Sequence, residues 1–189
     1  MPSVEYDLRY LRAGVATLEE YLLSNDVFWN LGANPPSGEP AYPQLTLGGI
    51  LLSQMRAHSK RLTPDQSAEL VKIDGQIGTA RDRWRQAWGK KAAAEFHARV
   101  ALWRNFIEDY RENPKSNADR YAYEVSRRVQ LFLLQADAQD IPSTEVELLS
   151  GLDRFLQSVF LSGDFIWDKE MENSFPRSTF WYLYGNLKK

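Results

Sequence analysis

An all-α fold follows from three observations on this 189-residue chain. Apolar residues recur three and four apart through most of its length, the spacing of one face of a helix. Helix-start signals stand at the head of those runs. No stretch shows sustained period-two alternation bounded by hairpin turns. The reading is a helical bundle of about five main helices organised around one long central helix, with a long Pro-rich loop and an aromatic C-terminal tail, in a single domain spanning 1–189.

The first helix is carried by Val4, Leu8, Leu11, Val15, Leu18 and Leu22. Ser3 stands at its cap, and Glu5 and Asp7 lie in the first turn, where the helix dipole favours acids. From Ser24 to Pro43 the character changes. Pro35, Pro36, Pro40 and Pro43, with Gly32 and Gly38, make an irregular segment punctuated by Phe28, Trp29 and Tyr42. A loop of this length is either functional or held on the core by its aromatics. Leu47, Leu51, Met55, His58 and Leu62 then mark a shorter helix capped by Thr46, with Arg56, Lys60 and Arg61 turned away from the apolar side.

The longest signal begins at Thr63. Leu70, Ile73, Ile77, Ala80, Trp84, Trp88, Ala92, Phe96, Val100, Trp103, Ile107 and Tyr110 recur at a mean step of about 3.6, the period of a straight α-helix. Thr63 and Gln66 have capping-box spacing, Pro64 suits the first helical position, and Asn113-Pro114 marks the stop. Unbroken, this helix is about 70 Å long. Gly89 is the position where it could fold back, but no residue between Arg83 and Arg104 supplies a new cap, so the sequence predicts continuity.

A further helix over residues 117–139 places Tyr121, Val125, Val129, Phe132 and Ala136 on one face. Pro142 separates it from the next, which Thr144 and Glu147 open as a capping box before Leu149, Leu152, Leu156 and Val159. Beyond Phe175-Pro176 come Phe180, Trp181, Tyr182 and Tyr184, too apolar to be left in water. One internal echo joins the two ends: Leu23-Ser24-Asn25-Asp26-Val27-Phe28-Trp29 is matched by Leu161-Ser162-Gly163-Asp164-Phe165-Ile166-Trp167. Its physical reading is a recurring helix stop, with Asn25 and Gly163 in the left-handed position.

Composition narrows the chemistry. A net charge of −2 with 43% hydrophobic and 25% charged residues belongs to a soluble globular chain. With no cysteine, disulfides, thiolate nucleophiles and cysteine-ligated metals are excluded. The opening MPSVEYDLRY lacks the basic and apolar regions of a signal peptide, and no apolar run approaches 18 residues, which predicts a cytoplasmic protein without a membrane span. Neither His58 nor His97 follows a glutamate by three, so the di-iron pattern of helical bundles fails, and no metal or cofactor is expected. The phase of His58 makes it a core-edge imidazole, and His97 an exposed one. Asp164, Asp168, Glu170 and Glu172 lack EF-hand spacing and read as a solvated acidic segment. Gly48-Gly49, Gly75 and Gly78 lack the lysine and hydroxyl of a phosphate loop and read as sites of close helix packing.

Three functional readings remain. The first is a non-enzymatic interaction or scaffold protein, meeting a protein partner or a second copy through the aromatics outside the amphipathic helices: Trp29 and Tyr42 in the 24–45 loop, Trp181 and Tyr184 in the tail. The second uses a basic belt on the long helix, seven bases against two acids between Arg81 and Arg104. There Arg81, Arg83, Arg85, Lys90 and Lys91, with Trp84 and Trp88 nearby, could hold a single-stranded nucleic acid. Both tryptophans fall on the apolar stripe, which favours tryptophans facing the core and bases facing water or an acidic neighbour such as the 164–172 segment. The third is a small-ligand binder or enzyme with an inter-helix pocket near Asp26, Trp29, Asp164 and Trp167.

Overall fold

Side chains that announce helix starts in the sequence make the capping bonds they are suited to. In the computed structural model, which describes residues 2–189, the helices are α1 (Val4–Ala16), α2 (Leu18–Leu23), α3 (Leu47–His58), α4 (Pro64–Arg83), α5 (Arg85–Glu112), α6 (Pro114–Asn117), α7 (Tyr121–Gln135) and α8 (Ser143–Val159). Ser3 accepts from the Tyr6 N–H, Thr46 from that of Gly49, and Thr63 and Gln66 form the full reciprocal box. Each satisfies N–H groups that a first helical turn leaves without partners. Thr144 does no such thing: α8 begins one residue earlier, after Pro142, with no side-chain cap.

The chain is mostly helical but not all-α. Phe160–Phe165 (β1) and Tyr184–Leu187 (β2) pair antiparallel, so the aromatic tail returns as a strand and a 3-10 turn at Trp181–Leu183. Phe160 leaves α8 in an extended conformation, φ −84° and ψ 134°. Gly163 is therefore in a strand and not at a left-handed helix stop, and Asn25 has no positive φ either. Alternation is absent from β1 because residues 161–164 are all exposed and the register skips Gly163 and Asp164 between the pairs Ser162/Gly185 and Phe165/Tyr184. Gly185, at φ +145°, lets the Leu161 carbonyl approach where any Cβ would collide.

The long helix is continuous at Gly89 and broken five residues earlier. Trp84 adopts φ −111° and ψ 34°, while Trp84 N–H still reaches Ala80 O at 2.9 Å and Trp88 N–H reaches Trp84 O at 2.8 Å. The break lets the two halves seek different neighbours: α4 packs on α1 and α3, and α5 on α7, α8, α3 and α2. A straight rod could not keep one stripe against both groups. Gly89 is buried because Gln139 lies over it and donates its N–H to the Gly89 carbonyl at 3.2 Å. The first predicted helix is likewise divided, at Thr17.

The Pro-rich loop is fastened to α1 and α2 by tyrosines. Tyr42 Oη donates to Tyr6 O at 3.1 Å, Tyr10 Oη to Gln44 O at 3.2 Å, and Tyr21 Oη to Val27 O at 3.0 Å. One cluster of buried side chains runs from α1 through α3, α5 and α7 to β2. On α7 the buried positions include Leu131 and Leu134, while Phe132 turns outward against Phe180.

Two buried carboxylates meet bases inside this core. Asp7, wholly buried, accepts from Arg56 Nη2 at 2.5 Å, with Lys60 Nζ at 3.8 Å, so both bases turn inward rather than to solvent. Burial pushes the Asp7 carboxyl up and Arg56 opposes that shift. Glu95, also wholly buried, accepts from Arg99 Nε at 2.5 Å and from Gly48 N at 3.0 Å, and Arg99 Nη2 donates to Thr46 Oγ1 at 2.8 Å. The positive N-terminal end of α3 is thereby seated on α5.

Candidate functional site

The aromatic residues singled out from the sequence are spent largely on the chain's own packing. Trp167 and Tyr184 are buried: Trp167 Nε1 donates to Ala122 O at 3.1 Å and Tyr184 Oη to Phe175 O at 2.8 Å. Trp29 and Trp181 are half-buried, the first beside Tyr21 and bridged through its backbone to Leu45, the second edge-on to Phe160. Half-buried Tyr42 packs on Tyr6 with ring centroids 4.5 Å apart, and burial drives its phenol up to about 12. Asp26 and Asp164 are exposed on separate segments, while Trp29 is half-buried and Trp167 buried.

The basic belt is divided as well. Lys91 is buried, its Nζ donating to Ser24 O at 2.7 Å and Asp26 O at 2.8 Å while lying 4.7 Å from the Tyr21 ring centroid. It satisfies carbonyls just beyond α2, the task first assigned to a left-handed Asn25. Burial lowers the Lys91 pKa, partly offset by Asp26. Arg81 is ion-paired with Asp137 and lies over Trp88, Arg83 is 3.6 Å from Glu19 and lies over Trp84, and Arg85 is 3.5 Å from Asp82. Lys90 is exposed beside them. His58 is not a core residue: half its side chain is exposed, with Nε2 2.7 Å from Asp74 Oδ2, and His97 pairs with Glu145.

What the structure adds is the outward side of α4. Leu70, Ile73 and Ile77 turn to the core. Half a helical turn away, Ala68, Val71, Gly75, Gly78 and Thr79 make a face of small side chains bordered by exposed Lys72 and Asp82, and Val71 is 67% exposed. Gly75 and Gly78 do not serve close packing within the chain. A Cβ at either would meet nothing within 4 Å, whereas one at Gly49 would strike Tyr10 Oη. On one flank of this face a groove of about 490 Å³ runs between α4 and the α1–α2 turn. Val15, Leu18, Gly75 and Ala80 line it, Lys72 and Arg83 lie toward its two ends, and Trp84 is part of its wall. Trp84 Nε1 is buried and has no hydrogen-bond partner.

Two helix-interior glycines facing solvent each cost roughly 1 kcal/mol relative to alanine. The sequence shows both glycines, but spacing alone reads them as sites of close packing within the chain because it does not say what stands opposite. No family model, curated protein or solved structure matches this chain. Among the described residues, no helix is long and apolar enough to cross a membrane.

Proposed function

We propose that the chain is an interaction protein whose docking surface is the outward face of α4 together with the groove beside it. The observation that carries this reading is an exposed helix face made mainly of small side chains where solvent-facing helix positions are ordinarily long and polar, with two glycines that nothing in the chain requires. A partner helix laid along that face approaches closely because Gly75 and Gly78 carry no side chain. The surface thus moves away from the loop and tail, whose aromatics are engaged within the chain.

A photo-crosslinking amino acid at position 71 tests this in the source cell. A discrete adduct at 71, absent when the probe is placed at exposed Lys115, is the expected result. No adduct at 71 overturns the reading. The groove itself favours a second reading, a small-molecule site, since its volume lies in the usual range for ligand pockets. A metabolite screen by thermal shift, with hits abolished by Gly75→Phe, would establish it.

A further inference from the structure

We propose that Ser162 is a phosphorylation site and that Arg177 receives the phosphate, tying the turn after Pro176 to strand β1. Neither residue belongs to the α4 surface.

Ser162 stands out by what its hydroxyl touches. Three hydroxyls among the described residues accept from an arginine side chain: Thr46 from Arg99, Ser53 from Arg56 and Ser162 from Arg177. Thr46 and Ser53 are buried, and their arginines are already held by the carboxylates of Glu95 and Asp7. Ser162 is exposed, and its Oγ accepts from Arg177 Nη2 at 2.8 Å. Among the described residues Arg177 has no carboxylate within 4 Å. Its guanidinium is nevertheless positioned, lying 5.3 Å from the Tyr184 ring centroid. A planar fork of five donors thus stands beside an accessible hydroxyl with its charge unanswered by any acid.

Strand β1 also offers that hydroxyl to an enzyme. Residues 161–164 are all exposed, and the register with β2 is interrupted directly after the serine. Opposite Ser162 on β2 stands Gly185, which presents no side chain to crowd the hydroxyl. A kinase has to bring the hydroxyl in line with the terminal phosphate of a nucleoside triphosphate, and an exposed strand permits this where a buried side chain does not. In that step Ser162 Oγ bonds to the terminal phosphorus, the bond from that phosphorus to the nucleoside diphosphate breaks, and the hydroxyl proton passes to an aspartate of the kinase. The product carries a charge of about −1.5 to −2. Its oxygens accept paired N–H bonds from the guanidinium, where the hydroxyl accepts one. The consequence reaches the tail, because Arg177 lies in the turn whose Thr179 and Phe180 N–H groups return to Pro176 O. Beyond that turn Trp181 lies edge-on to Phe160 and Tyr184 pairs with Phe165, so the phosphate fastens β1 to the segment that closes over it.

Peptide mass spectrometry of the protein isolated from the source cell, with phosphatases inhibited, should find phosphate on Ser162. Its absence from that residue overturns the site. The role of Arg177 is read separately, on the full chain made with phosphoserine inserted at position 162 during translation and compared with the unmodified chain by amide hydrogen exchange. Phosphate should slow exchange at residues 182–187 by about threefold, the scale of an exposed ion pair, and added salt should shrink the difference. Arg177→Gln should abolish the slowing. Arg177 is exposed and makes no ion pair, so the unmodified variant should exchange like the wild type elsewhere in the chain. Equal exchange with and without the phosphate, or a slowing that survives Arg177→Gln, overturns Arg177 as its receiver.

Discussion

Lys90 and Lys91 are adjacent, alike in sequence and opposite in situation. Lys90 is exposed, while Lys91 is buried with two backbone carbonyls on its ammonium. Lys91→Met should therefore lower the unfolding free energy by about 1.5–3 kcal/mol, the range for losing hydrogen bonds to a charged group. Lys90→Met should stay within about 0.5 kcal/mol, and urea denaturation distinguishes the two. The difference explains why the belt was only partly legible. Counting bases along a helix registers charge but not phase, and Lys91 and Arg99 fall where α5 meets other helices. Apart from Glu95, four residues before Arg99 on the same helix, their partners Ser24, Asp26 and Thr46 are distant in sequence, so no local pattern announces them.

Among elements, α3 and α4 use glycine in opposite ways. At Gly49 the missing side chain admits the buried Tyr10 ring, so Gly49→Ala overpacks the core and should cost about 1–3 kcal/mol. At Gly75 and Gly78 an added methyl meets open space, and each alanine substitution should raise the stability of dilute, monomeric protein by about 0.5–1 kcal/mol. Chemical denaturation of the three variants side by side checks both signs. Sequence alone treats all these glycines as packing sites because spacing cannot say what stands opposite. The starts of α1, α3 and α4 were legible for the converse reason: a cap bonds to its own helix within three residues. The breaks at Thr17 and Trp84 carry no such local signature, being set by the neighbours on which each half packs. The sheet was hidden because its strand β1 is exposed and bulged and its partner lies about twenty residues on.

Across the whole molecule, tyrosine is the polar side chain most often taken into the core. Burial pushes Tyr6, Tyr10, Tyr21, Tyr121 and Tyr182 upward, and Tyr42 to about 12. Above pH about 10 the unfolded chain loses phenolic protons that the folded chain keeps. The native state then binds more protons than the unfolded one, and stability falls as pH rises. The contribution is fully present below about 10 and is lost through about 12 and beyond for the deepest groups. Lys60 and Lys91, lowered by burial, act in the opposite sense just below that range. Urea midpoints measured from pH 9 to 12 should decline, and Tyr42→Phe should make the decline shallower. The helical character and most buried positions of α5 were readable from period alone, since one stripe faces the core throughout. How the loop and tail close over the core was not, because that closure is made by phenol-to-carbonyl bonds such as Tyr121 Oη to Tyr182 O at 2.6 Å, sixty residues apart in the chain.

The break at Trp84 also gives the molecule an optical handle. Its indole is half-buried in the groove wall, lies under the Arg83 guanidinium and has an N–H without an acceptor. Trp88, Trp103 and Trp167 are sealed inside, so their emission is insensitive to what touches α4 from outside. A visitor whose side chain displaces Arg83 alters the surroundings of that one ring. The wavelength at which this chain fluoresces should therefore change on docking, and Trp84→Phe should abolish the change.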